Sequence, residues 1–215
     1  MRIYNILPVI NYAFHYVVRF SKLYNIDESH ALKHSMETFR FANQIYNSEV
    51  NKNSFLEEQK DIIFASAILH DMCDKKYMVE RIGVSLINQY MGEYMSQPKL
   101  DVVSNIITTM SYSKVKQNGY PDLKNYQLAY HIVREADLLA AYDIDRCIMF
   151  GMSVEKLTYS DAMIRAIEMF DKRVLKYRDD GLFVTDLSKE ISAKLHDKTL
   201  KDIEQLQIMH SLSLF

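Results

Sequence analysis

Apolar residues along this chain recur at steps of three and four, the repeat of a helix that buries one face. Ile82, Leu86, Tyr90 and Tyr94 follow it in one segment, and Val102, Val103, Ile106, Ile107 and Met110 in the next. Ala162, Ala166, Ile167, Met169, Phe170 and Val174 carry it further along. The breakers fall between these patterns: Pro98 in "SQPKL", Gly119 and Pro121 in "NGYPD", Gly181 in "DDGLF". No Asn-Gly or Asp-Gly turn joins two alternating runs, so nothing reads as a hairpin. The pattern predicts about eight to ten helices and no strand. Asp27 or Ser29 is expected to cap the helix entering "HALKHSMETFRFANQIY", and Asp122 the one through "YQLAYHIVREADLLAAY". The stretch "TDLSKEISAKLHDKTLKDIEQLQIMH" predicts a long outer helix with a charged face. With no repeat, low-complexity tract or linker, residues 1–215 are expected to form one all-α domain.

Composition narrows the function classes. The 215 residues are 48% hydrophobic and 25% charged, as in an ordinary soluble protein. The formal charge of −2 supplies no basic field, so nucleic acid is not expected as a partner. Two cysteines, Cys73 and Cys147, allow at most one pair, which fits a reducing compartment better than a disulfide framework. The opening "MRIYNILPVINYAFHYVVRF" is interrupted by Asn5, Pro8, Asn11, His15 and Arg19. It falls short of the roughly 18 apolar residues of a membrane span and lacks a signal peptide's basic start and cleavage site. It reads as a packing helix of a cytoplasmic protein, with no membrane partner.

Chemistry concentrates in "IIFASAILHDMCDKKY". Residues 62–69 contain no charge and only Ser66 as a polar group, and they lead straight into His70-Asp71. An imidazole and a carboxylate at the end of a buried helix must be paired or must bind something, because unpaired burial is costly. Together they suit a divalent ion. His196-Asp197, in "SAKLHDKTLKD", has no buried run before it and reads as a solvated face. His34 and Asp137 are candidates to complete a site. Each also has a plainer reading: a core histidine with a backbone partner, and a carboxylate paired with Arg134 one turn earlier. Cys73 has no CxxC partner, and Cys147 reads as core.

The order His, then His-Asp, then a distant Asp resembles the HD-domain superfamily of metal-dependent phosphohydrolases. "HALKHSMETFRFANQIY" is similar to that family's first ligand helix, "ASAILHDMCDKKY" to the helix delivering the doublet, and "IVREADLLAAYD" to the last ligand helix. "IITTMSYSK" resembles the segment between them in small one-domain relatives. The likeness covers about residues 26–150, leaving 151–215 as a helical extension. It implies a phosphohydrolase acting on a small phosphorylated metabolite, a nucleotide foremost. One divalent ion (Mn, Mg, Fe, Co or Zn) would be held by His34, His70, Asp71 and Asp137, with Asp71 also part of the catalytic centre. Asp74 stands where guanosine-tetraphosphate hydrolases of this superfamily carry a catalytic glutamate, and would orient or deprotonate water; otherwise it pairs with Lys75 or Lys76. Those two lysines would clamp phosphate, or simply form a solvated helix start. His30 would assist at the site or support His34. Some relatives carry a histidine where Met110 stands and an acid where Ala140 stands. Their absence favours a single ion and leaves open a degenerate domain that binds a nucleotide or a protein as a sensor.

Overall fold

In the computed structural model, which describes residues 6–212, ten α-helices and four short 3₁₀ turns carry the chain. No strand forms among the described residues, as the three- and four-residue periodicity predicts. The organising element is α3 (Lys60–Leu69). Ile62, Ile63, Phe64, Ala65, Ala67, Ile68 and Leu69 are all buried, so the helix is apolar on every side and takes the centre of the core. Around it pack α1 (Leu7–Leu23), α2 (Leu32–Glu49), α5 (Gln97–Thr109) and α7 (Gln127–Ala140). α2 and α7 also pack on each other, so α2, α3 and α7 meet pairwise. After α3 come α4 (Glu80–Met91) and, beyond α5, the short α6 (Tyr112–Asn118). Past α7, α8 (Ile144–Ser153) and α9 (Tyr159–Lys172) pack against each other as a pair. No helix among the described residues is long and apolar enough to cross a membrane.

The last helix, α10 (Asp186–Leu212), is the long charged-faced element expected. It buries Ser188, Ser192, Thr199 and Ile203, while Lys194–Glu190 and Lys198–Asp202 pair one turn apart on its outer side. Asp197 is exposed, whereas His196 is half-buried with its ring 6.4 Å from that of Tyr142.

Two expected caps are not helix caps. α2 begins at Leu32 with no side-chain cap, because Asp27 is spent on a turn of its own. Its Oδ1 accepts from the Ser29 amide at 3.0 Å, and its carbonyl accepts from the His30 amide at 2.9 Å. Asp122 likewise accepts from the Lys124 amide at 3.1 Å, opening the 3₁₀ turn Lys124–Tyr126 before α7 starts at Gln127. Local Asx turns outcompete the cap in both places.

Arg134 and Glu135, both fully buried on α7, anchor the segment that feeds α10. Arg134 Nη2 donates to the Leu182 carbonyl, and its guanidinium lies 4.8 Å from the Tyr120 ring centre. Glu135 accepts from the amides of Val184 (2.7 Å) and Thr185 (3.1 Å) and from the Thr185 hydroxyl (2.6 Å). The Glu135 charge is thus met by three donors, which its burial demands, while Arg134 keeps its Nε buried without a hydrogen-bond partner. Arg134 is engaged with this segment, not with Asp137.

α4 crosses very close to the 3₁₀ turn His70–Cys73 that follows α3. A Cβ on Gly83 would stand 2.6 Å from Cys73 Cβ and 2.8 Å from Cys73 Cα, so only glycine fits without moving that turn's backbone. Gly83→Ala is expected to destabilise the fold by about 1–3 kcal/mol through overpacking. A denaturation midpoint identical to that of the parent chain would contradict this.

Candidate metal centre

Three helices deliver the candidate ligands to one point. α2 supplies His34 from its first turn, the 3₁₀ turn directly after α3 supplies His70 and then Asp71, and α7 supplies Asp137. His34 and His70 are 1% and 6% exposed, and their Nε2 atoms lie 3.0 Å apart. Asp137 Oδ1 is 3.3 Å from His34 Nε2 and 3.4 Å from His70 Nε2. These three residues form a cluster whose ligand atoms all fall within 4.8 Å of one another. Asp71 joins from the side, with Oδ2 at 3.4 Å from His34 Nε2 and Oδ1 at 3.4 Å from His70 Nε2. The four residues singled out in the sequence are brought together.

The donor set fits a divalent ion. His70 Nδ1 donates to the Ala67 carbonyl at 3.0 Å, which leaves the Nε2 lone pair of the neutral ring facing the cluster. Neighbouring donors around an octahedral ion with bonds of about 2.1 Å stand roughly 3 Å apart, close to the spacing found here. The electrostatics also call for a cation. Burial opposes charge on His70, but Asp71 and Asp137 outweigh it and raise its pKa to about 9. Burial would likewise raise Asp137, yet the His70 charge and hydrogen bonds from both imidazoles hold it well below the usual carboxylate range. Asp71 is lowered too, against its burial, by the charges of His70, His30 and His34. The two half-buried carboxylates therefore draw a proton onto His70. His34 goes the other way: burial, then the Arg146 charge, lower it to about 4.

Arg146, from α8, donates to His34 Nδ1. A guanidinium can only donate, so this contact puts the proton of neutral His34 on Nε2. Coordination of an ion through His34 Nε2 requires the opposite tautomer, with Arg146 withdrawn from Nδ1.

The cluster opens into a cavity of about 340 Å³. Asp74, Lys75 and Lys76 all line it. Asp74 Oδ1 accepts from the Lys76 amide at 2.8 Å, and its carboxylate forms no ion pair with either lysine. Lys75 is exposed at the rim. Lys76 is tethered: its Nζ lies 3.0 Å from His30 Nε2 and 5.2 Å from the centre of the Phe150 ring. His30 Nδ1 in turn lies 2.7 Å from Ser29 Oγ and 3.0 Å from the Tyr77 hydroxyl, which donates to Asp27. Burial of Asp27 is outweighed by these hydrogen bonds, and its pKa is lowered. His30 thus belongs to a lysine-linked network on the cavity wall.

Met110 and Ala140 are both buried, and Met110 lines the cavity. Cys73 also lines it, but burial and then Glu80 push its thiol up to about 12, so it carries no thiolate near neutral pH. Cys147, half-buried against the core, lines it too, its pKa raised by burial.

The sequence reading missed the far wall. Arg146, Arg165 and Arg173, from α8, α9 and the residue just past α9, all face this cavity, as does Lys114 from α6. The only signal in the sequence was an arginine beside each apolar stripe, in "IDRCIMF" and "AMIRAIEMFDKR". Such residues ordinarily read as a solvated face.

No protein-family model, curated protein or solved structure matches the chain.

Proposed function

We propose that this chain is a metal-dependent phosphohydrolase of the HD type, acting in the cytoplasm on a small phosphorylated metabolite, a nucleotide foremost. The observation that carries the reading is the convergence of His34, His70, Asp71 and Asp137 at 3.0–3.4 Å on the floor of a cation-rich cavity. A divalent ion held there would lower the pKa of a bound water and polarise a phosphoryl oxygen. Asp74, free of ion pairs on the same cavity wall, accepts the proton of the attacking water. Lys75 and Lys76 draw the phosphate in and offset the charge that develops on it. His30, hydrogen-bonded to Lys76, fixes where that ammonium points.

Phosphate release from a panel of nucleotides with Mn²⁺, Mg²⁺, Co²⁺ and Fe²⁺ tests the proposal. Asp74→Asn is expected to lower kcat by about 10²–10⁴-fold while leaving the metal content intact. A blank screen with every ion would overturn the hydrolase. It would favour the second reading, a degenerate HD-type domain that binds a nucleotide as a sensor. Two observations speak for that alternative: Arg146 sits on His34 Nδ1, and Met110 and Ala140 are apolar core residues.

A further inference from the structure

The cavity holds more positive charge than a single phosphate needs. Lys114 is committed to Glu80 and the Thr108 carbonyl, and Arg165 grips Glu155 through Nε and Nη2. Lys75, Lys76, Arg146 and Arg173 have no carboxylate within 4.0 Å among the described residues. On the acidic side, Asp71 and Asp137 belong to the metal centre and Glu80 to Lys114, which leaves Asp74 as the uncommitted carboxylate. A phosphate monoester dianion at the metal centre, together with Asp74, would still leave one positive charge of these without counter-charge, and desolvated unpaired charge is costly.

The far wall is built from guanidinium groups. Arg173 donates through Nε to the Tyr177 hydroxyl at 3.0 Å, and its Cζ lies 4.9 Å from the Tyr112 ring centre. Burial works against its charge, but the Tyr177 and Asp137 oxygens outweigh it, so the guanidinium stays charged in place. Arg165 keeps Nη1 buried with no hydrogen-bond partner, and its Cζ lies 5.7 Å from the Phe150 ring centre. Arg146 engages only the imidazole that must release it when an ion binds. Planar guanidinium groups held by aromatic rings are suited to forked binding of phosphate oxygens.

We infer that the α8–α9 wall is a second anion subsite, in which Arg173 and Arg146 bind a phosphate other than the one at the metal centre. The substrate is then a diphosphate or a longer phosphate chain, with one end at the His–Asp cluster and the next group against the arginines. This assignment rests on the hydrolase reading for the metal-bound end alone; the arginine subsite stands on its own geometry.

The test compares binding of inorganic triphosphate and orthophosphate to the full chain by calorimetry, with and without added Ca²⁺, beside the phosphate-release screen. Triphosphate is expected to bind at least about tenfold more tightly, and Arg173→Gln to remove most of that preference, as loss of a charge-assisted pair does. Arg173→Lys should restore only part of it, since an ammonium cannot fork. Arg146→Gln provides an independent second variant should Arg173→Gln fail to fold. Equal binding of the two anions, or a triphosphate preference untouched in both glutamine variants, overturns the inference. Turnover of nucleoside monophosphates as efficient as that of triphosphates also overturns it, while leaving the hydrolase reading standing. Arginine-dependent triphosphate binding with a blank release screen does the reverse: the subsite stands and the hydrolase falls.

Discussion

Asp137→Asn is expected to keep the fold and lose the ion, and phosphate release with it. The amide fills the volume of the carboxylate, and its oxygen can still accept a hydrogen bond from an imidazole, so α7 has no reason to shift. What disappears is the negative charge that, with Asp71, outweighs the burial of His70. Removing a residue that merely supports a ligand typically costs about 10–100-fold in metal affinity, so loss of a ligand should exceed about 100-fold. Metal analysis of protein purified without chelator should give about one equivalent for the parent chain and close to none for the variant. Full metal content in a folded Asp137→Asn protein would remove the centre as described. Loss of metal on Cys73→Ser instead would relocate it to the thiol.

The second large effect is on the pH dependence of metal binding. An ion at His70 Nε2 must displace the proton that the two carboxylates hold there until about pH 9. Affinity should therefore climb by about tenfold per pH unit from neutrality and level off near pH 9. His34, lowered to about 4, contributes no proton above pH 5. Stability of the metal-free chain runs in the opposite direction. A histidine whose pKa is raised on folding stabilises fully below its unfolded value of about 6.5 and stops doing so as pH rises through about 9. The drop in melting temperature on chelation should accordingly widen between pH 6.5 and 9, because the metal-free form loses stability over that range while the metal-loaded form, whose His70 is unprotonated as in the unfolded chain, does not. Calorimetry in two buffers of different ionisation enthalpy would count the released proton directly. An affinity flat over that range would mean that His70 is not a ligand.

The helices and the candidate ligands were legible in the sequence for different reasons. Periodicity exposed the helices because each buries one face, and α3 stood out because it buries all of them. His70-Asp71 was conspicuous through its contrast with the apolar run before it, and His34 and Asp137 through the order of the set. The caps misled because Asp27 and Asp122 each had a nearer amide to accept from. Arg146, Arg165 and Arg173 were invisible for a deeper reason. An arginine on an amphipathic helix looks the same whether it faces water or a cavity, and only the packing of α8 and α9 over the His–Asp cluster decides which. The same packing gives residues 151–173 a part in the site that their sequence did not suggest.

The meeting of α2 with α7 also determines when the centre can exist during folding. His34 and Asp137 are separated by more than a hundred positions, and their 3.3 Å approach closes the longest loop in the cluster. Contacts of such high sequence separation form late, after the entropy of loop closure has been overcome. An ion that needs both residues has nothing to grip in the transition state if that pairing is still incomplete there. It would then leave the rate of folding nearly untouched and act on the escape from the native state, as a latch on unfolding rather than a template for assembly.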